Sequence, residues 1–457
     1  MRKLLVFLVA LLVAAGVTYV VAGRRPGPSI DITKPGPIIG FSSPLEVTIA
    51  ADGSPVTDVR VSLVQDGVVT PVVGPEVSGS EKYVTAAENG SVRVTLVVGK
   101  QSVQALKAGA AEIQVAARRP VLFGFRQVEA VATKPVTVRL EKPTVSVVSM
   151  HHYVNQGGAE LVVYRVSPAD VSSGVRVGND EYPGFPAAGL TAQGVSISDP
   201  ALRVAFFALT YDQGPGTPIS LFARDEAGNV ATAQFDNRIF PKPARKSTIP
   251  LPDALLDRVV PAILATTDEV KPSGSTLEQF LVINGDLRRR NAQTIASFAA
   301  KTSPELLWQG VVFHPFTNTA VESAFADRRT YTYNGKEVDH QVHLGFDLAS
   351  FANASIVAAN RGRVLFAGPL GIYGNAVILD HGLGVQSLYA HLSSIGVQEG
   401  ATVEKDQELG RSGTTGLAGG DHLHFTMLVN GRMVNPVEWW DPHWVEDRIL
   451  RKLREVH

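Results

Sequence analysis

No cysteine occurs in the 457 residues of this chain. That excludes a disulfide framework and a thiolate zinc site, so any metal must be held by His, Asp or Glu. The formal net charge is only −1, and nucleic-acid binding needs a strongly basic footprint that is missing here. Aromatic residues make up 7% of the chain, and no aromatic-rich stripe marks the N-terminal half as a sugar-binding face. Charge is also missing from one long stretch, Leu4 to Gly23, which lies between Met1-Arg2-Lys3 and Arg24-Arg25. A run of that length spans a bilayer and exceeds a usual signal-peptide core. Val20-Val21-Ala22 offers a weak cleavage site, but length favours a retained anchor. Basic residues flank both ends, so charge alone does not orient it. The expectation is a single-pass protein of the inner membrane, with residues beyond about 26 in the periplasm.

What remains is globular in composition, at 45% hydrophobic and 19% charged residues, and long enough for about three domains. Residues 26–141 alternate in the β manner at Val59, Val61 and Leu63, at Val92, Val94, Leu96 and Val98, and at Val136, Val138 and Leu140. Asp66-Gly67 and Asn89-Gly90 mark turns. Residues 142–240 repeat the style in "ELVVYRV", "LRVAFFAL" and a hairpin around "DEAGN". Two immunoglobulin-like β-sandwich modules are the economical reading. His151 and His152 have no acidic or His neighbours at ligand spacing and read as structural or surface residues.

Residues 241–306 form a linker and helical connector. "FPKPARKSTIPLP" (240–252) is rich in Pro and Lys. Thr276 and Gln279 carry the spacing of a capping box, and Asp286–Lys301 shows helical spacing at Leu287, Ile295 and Phe298. Arg288, Arg289 and Arg290 read as a solvated helix face. β patterning returns over 307–440, and 441–457 reads as a C-terminal helix.

Eight of the eleven histidines lie between residue 307 and His443. "GGDHLHFTML" (419–428) alternates His422, His424 and Thr426 with Leu423, Phe425 and Met427. A strand therefore points both imidazoles to one face. Alone, the pair reads as polar residues on a solvated edge strand, and its meaning depends on what lies elsewhere. "VHLGFDLAS" supplies His343 and Asp347, whose even separation keeps them on one side of a strand. "SLYAHLSS" supplies His391. A catalytic zinc site needs three protein ligands and an open position for water. His343, Asp347 and one member of the His422/His424 pair make such a set. His391 and the other member remain to take the water's proton and to steady the developing oxyanion.

"HLGFD", "YAHL" and "GGDHLHF", in that order, resemble the three signatures of the lysostaphin-type (LytM-like) zinc metallopeptidases, which cleave peptide cross-links in bacterial peptidoglycan. "ESAFADRR" resembles the element before the first ligand. The Gly-punctuated stretch from Gly362 to Gly416 follows the family's strand succession, and the resemblance covers roughly residues 307–440. It implies a C-terminal all-β metallopeptidase domain in a mainly β chain, with zinc held by His343, Asp347 and His424 and with His391 and His422 as catalytic histidines. The implied substrate is the peptidoglycan stem peptide. Tyr389 and Asn375 match positions near the family's substrate cleft, although a strand Tyr and a turn Asn serve structure equally well. Asp421, Thr426 and Asp406 depart from the family pattern without removing a ligand; Asp406 stands where a turn glycine is usual. Asp421 should point away from His422. His340, His314 and His381 read as turn or surface residues.

An inactive scaffold that activates or localises other wall hydrolases is the competing reading, and relatives of that kind have typically lost ligands. A third reading makes the β-modules the working part, as wall- or protein-binding units. Nothing in the sequence names a protein partner.

Overall fold

The computed structural model describes residues 2–22, 26–51, 55–192, 195–308 and 312–455. Gly23, Arg24 and Arg25, the expected end of the N-terminal run, lie outside the described residues. The chain divides into two compact units: residues 1–143 with 224–231, and residues 144–223 with 232–457.

In the first unit the helix Arg2–Ala22 exposes nearly all of its apolar side chains. It is long and apolar enough to cross a membrane, and a signal sequence would pass the same test. Two sheets follow. One runs Ser29–Lys34, Ser43–Ala50, Val92–Val98, Val84–Ala86; the other runs Ile38–Ile39, Arg126–Val138, Gly109–Val121, Thr57–Gln65, Val68–Val73. Alternate residues such as Leu45, Val47, Ile49, Val61, Leu63, Val94 and Val115 meet in one core between them. This is the two-layer solution open to sheets that are apolar on one face.

The second unit is built on an eight-stranded antiparallel sheet. Its order is Ala320–Ser323, Phe346–Ala349, Leu423–Val429, Val385–Leu392, Asn375–Gly382, Gly362–Pro369, Thr402–Val403, with Arg432–Val434 pairing the end of Leu423–Val429. Both faces of this sheet are covered. One carries Phe346, Val377, Tyr389, Phe425 and Met427 into a core shared with the strands of residues 144–223 and the helical segment Pro442–Arg454. The other carries Ala376, Ile378, Leu388, Ala390 and Leu428 against the connector residues Leu256, Val260, Ile263, Phe280, Ile283, Leu287, Ile295 and Phe298. Every residue of Leu423–Val429 is therefore buried. The solvated edge strand suggested by the His pair alone is corrected: the strand is central, because each face has an apolar layer to meet.

The connector helix starts earlier than its spacing suggested. It runs from Thr276 to Lys301, with a π-turn at Ile283–Leu287. Its capping box is formed by Ser275 and Glu278, one residue before the expected pair. Ser275 has the extended backbone a cap requires, whereas Thr276 is already helical.

Candidate metal centre and its cavity

The site is assembled on the connector-facing side of the sheet. Asp347 and His424 are direct cross-strand partners, with Phe346 opposite Phe425 and Leu348 opposite Leu423 turned to the other face. His343 ends the strand Lys336–His343. Two residues on, Gly345 makes room: a Cβ there would lie 2.5 Å from both Cε1 and Nε2 of His424. The glycine of "HLGFD" is thus required by a ring packed against its backbone.

His391 reaches the same face by a different device. Ala390 pairs with His424, so regular alternation would turn His391 away. Instead the ladder with Asn375–Gly382 slips by one residue there, and His391 takes a left-handed φ of 64°. Such backbone in a non-glycine strand residue is uncommon and collects at functional sites. The bulge brings the His391 ring to 4.8 Å from His422 and 5.7 Å from His424, between ring centres.

His343 Nε2, Asp347 Oδ1 and His424 Nδ1 lie 2.9, 2.9 and 3.1 Å from one another. Atoms around a four-coordinate ion at ~2.0–2.1 Å are spaced about 3.3 Å apart, so the trio has nearly that spacing. These three residues form a group able to hold a metal ion. The outer atoms are engaged. His343 Nδ1 faces the Ala324 carbonyl at 3.1 Å and Ser323 Oγ at 3.2 Å, which turns its Nε2 lone pair inward. Arg329 Nη2 donates to Asp347 Oδ2 (3.0 Å) and to Ser323 Oγ (2.7 Å). His424 Nε2 is buried without a hydrogen-bond partner.

The other two imidazoles are oriented alike. His391 Nδ1 is 2.8 Å from the Thr415 carbonyl and His422 Nδ1 is 2.8 Å from the Gly420 carbonyl. With those N–H groups committed, each ring is left with Nε2, and that of His422 stands 3.5 Å from Asp347 Oδ1. Burial would raise the Asp347 carboxyl, but the charge of His343 and hydrogen bonds from His343, His422 and His424 outweigh it and hold it well below the usual range. Burial pushes His424 down to about 4 and His391 well below its ordinary value. Burial opposes protonation of His422 as well, yet Asp347 raises it.

All five residues line a cavity of about 340 Å³, whose other walls include Phe280, Arg288, Arg289 and Ala292 of the connector and Tyr373. Arg288 is thus not part of a solvated face; the π-turn places its half-buried side chain on the cavity, where Asn284 Oδ1 accepts from it at 2.6 Å. Arg289 and Arg290 are exposed as expected.

The remaining flagged residues are elsewhere. Tyr389 is fully buried on the opposite face, its hydroxyl meeting the Ala359 N–H at 2.8 Å. Asn375 Nδ2 donates to the Leu392 carbonyl. Asp421 accepts from Ser412 Oγ and the Asn353 N–H. Asp406 has the left-handed φ, 67°, of the glycine it replaces. His340 is exposed and His314 stacks on Trp440. His381 is corrected from a surface role: it is fully buried between the Arg361 carbonyl and Ser387 Oγ. His152 is buried against Ser149 and the Asp236 carbonyl, whereas His151 is exposed. Arg329, Ser323 and Tyr373 were not singled out from sequence; the "ESAFADRR" stretch held the first two, but only tertiary packing reveals their use.

A His/Asp/His cluster able to hold a metal ion thus stands beside two oriented imidazoles on the floor of a cavity in an antiparallel sheet. Residues 341–436 match Peptidase family M23, and the C-terminal region is an M23 peptidase domain. The chain is 36% identical over 130 residues to the DD-carboxypeptidase/endopeptidase Mpg of Neisseria meningitidis, covering 28% of this chain and 29% of that protein. It is 32% identical over 118 residues to the peptidoglycan DD-endopeptidase ShyA of Vibrio cholerae, covering 26% and 27%. It is 36% identical over 96 residues to the murein hydrolase activator NlpD of Salmonella dublin, covering 21% and 25%. The chain thus spans less than a third of the length of each of these relatives. The matches do not confirm the immunoglobulin-like reading of the N-terminal modules.

Proposed function

We propose that the chain is an extracytoplasmic zinc endopeptidase that hydrolyses peptide cross-links of bacterial peptidoglycan and is held at the inner membrane by its N-terminal helix. The observation that carries this is the trio of atoms within 3.1 Å of one another, two of them on residues whose outer atoms are already engaged. With those two imidazole nitrogens deprotonated, His343 Nε2, Asp347 Oδ1 and His424 Nδ1 would be three acceptors crowded together, an arrangement that suits a bound cation in place of the protons they otherwise share. Zinc held there would lower the pKa of its water toward ~7 and polarise the scissile carbonyl. The rest falls to the chain. Of the Nε2 atoms of His391 and His422, one accepts the proton released as the water attacks, and the other donates to the developing oxyanion. Arg329 keeps Asp347 turned, with Oδ2 outward and Oδ1 toward the trio. The connector wall narrows the cavity around an extended peptide.

The NlpD likeness supports a second reading, an activator of other wall hydrolases. The complete ligand set argues against it. Purified protein should bind one zinc per chain and release new amino termini from isolated peptidoglycan, with both lost in His343→Ala, Asp347→Ala and His424→Ala. Stoichiometric zinc in those variants would remove the ligand assignment. A zinc-loaded protein that releases nothing, yet speeds another wall hydrolase, would establish the activator instead.

A further inference from the structure

The first unit carries a long hairpin that its core does not explain. Strands Gly109–Val121 and Arg126–Val138 pair without interruption from Gly109↔Val138 to Val121↔Arg126. The neighbouring strand Thr57–Gln65 stops pairing at Thr57↔Arg118, so the last rungs protrude as a two-stranded ribbon. The sequence at its end is Val121-Leu122-Phe123-Gly124-Phe125, closed by a Phe125 N–H to Leu122 carbonyl bond of 3.1 Å. Phe125 is 81% exposed.

Three contacts fix the direction of this ribbon relative to the apolar helix. Gly27 lies against the rung Arg118↔Glu129: a Cβ at 27 would come 2.9 Å from the Glu129 carbonyl oxygen. On the next rung, Arg119 Nη2 donates to the Pro26 carbonyl at 2.7 Å. On the last rung, Arg126 Nη1 donates to the Tyr19 carbonyl at 2.6 Å, and its guanidinium sits 4.7 Å from the centre of the Tyr19 ring. As the hairpin runs toward its tip, its contacts move back along the chain from 27 to 26 to 19. The tip therefore points along the helix toward its N-terminal end. Tyr19 is inside the apolar window Leu5–Ala22. A tip at or past Tyr19 lies at the depth of that window, with Arg126 where a bilayer presents headgroups.

We propose that the hairpin tip, Leu122 to Phe125, inserts into the bilayer beside the anchor, giving the first module a second point of attachment. The ligand is the acyl-headgroup boundary of a phospholipid membrane. A paired ribbon with a hydrogen-bonded turn keeps most of its backbone groups satisfied there, and the side chains of Leu122 and Phe125 leave water. Two attachments prevent the module from swivelling about one helix. The inference rests on the reading of the apolar helix as a retained anchor.

The absence of cysteine makes the test direct. Full-length Phe125→Cys, Leu11→Cys and Val68→Cys, each labelled with an environment-sensitive fluorophore, are reconstituted in phosphatidylethanolamine/phosphatidylglycerol vesicles. Val68 is exposed and lies at the opposite end of the same sheet from the tip. Probes at 11 and 125 should be quenched several-fold more by nitroxide-labelled acyl chains than by aqueous iodide, and the probe at 68 the reverse. A charged thiol reagent should modify unlabelled Phe125→Cys at least ~10-fold more slowly than Val68→Cys, which guards against a probe that drags the tip into lipid. If 125 behaves like 68 while 11 is lipid-quenched, the tip proposal alone is overturned. If 125 is shielded from both quenchers, a protein covers the tip and the proposal is wrong. Iodide quenching at 11 would overturn the anchor, and the tip proposal with it.

Discussion

Replacing Gly345 by alanine adds one methyl group at the point where the chain between His343 and Asp347 passes the His424 ring. The new carbon would lie 2.5 Å from two ring atoms and 3.0 Å from the Phe425 carbonyl oxygen. Carbon contacts are comfortable at ~3.5–4.0 Å, so the ring must retreat by about 1 Å. It has little space to do so: Tyr373, His343 and His391 have ring centres 5.5, 4.9 and 5.7 Å away. His424 Nδ1 must then leave the trio. A displacement of ~1 Å at a reacting centre costs on the order of 10²-fold, and disturbing the residues that orient a metal ligand costs ~10–100-fold in metal affinity. Gly345→Ala should weaken zinc binding by about that factor, measured by chelator competition, and lower turnover at limiting zinc in proportion. Overpacking also lowers stability by ~1–3 kcal/mol, visible as a reduced melting temperature of the metal-free protein. Gly396→Ala, whose Cβ would meet only the Leu409 carbonyl, its oxygen at 3.6 Å and its carbon at 3.9 Å, is the matched control. A Gly345→Ala protein that melts lower but binds zinc as tightly as the parent would refute the reasoning, because strain without ligand displacement predicts that pattern.

His391→Ala and His422→Ala should retain zinc and lose ~10²-fold or more in turnover; zinc loss from His422→Ala with retention in His424→Ala would reverse the pair. Phe280, fully buried against the sheet face, should cost about 3–5 kcal/mol when cut to alanine. Deleting residues 253–301 should lower melting temperature and activity together, whereas higher activity at unchanged stability would make the connector a shade and not a brace. Glu438 is buried with Asn155 Nδ2 and the Ala159 N–H on its oxygens, and burial raises its carboxyl to about 7. The folded state then holds that proton longer than the unfolded chain. Parent stability relative to Glu438→Gln should fall as pH rises from about 4.5 to about 7, by at most ~3 kcal/mol. A pH-independent difference in unfolding free energy would disprove this.

The motifs were legible because alternation and short spacing are local properties. That His422 and His424 share a face follows from strand geometry alone, whereas His343 and Asp347 belong to two strands separated at Leu344 and Gly345, a break that their even spacing does not describe. The orientation of His391 could not be read in the same way. Its placement needs a ladder slip that only the neighbouring strand defines. Gly345 and Arg329 act through contacts with residues 79 and 18 positions away. His381 and Arg288 were misplaced for a related reason: polarity predicts exposure until a second layer arrives, and the connector and residues 144–223 cover both faces of the sheet. The capping box shifted by one because Ser-Thr offers two caps, and backbone geometry selects between them.

The shared core between connector and sheet governs how anything reaches the cavity. Leu256, Val259, Val260, Ile263, Phe280, Ile283, Leu287, Ile295 and Phe298 are all buried there. Exposing such side chains costs ~1.5–3 kcal/mol each. Even with half that surface kept covered among the helices, lifting the connector would consume ~7–14 kcal/mol, comparable with the whole stability of a domain. The connector is therefore a fixed wall of the cavity and not a jaw, so whatever reaches the five residues must fit the space as the packed helices leave it.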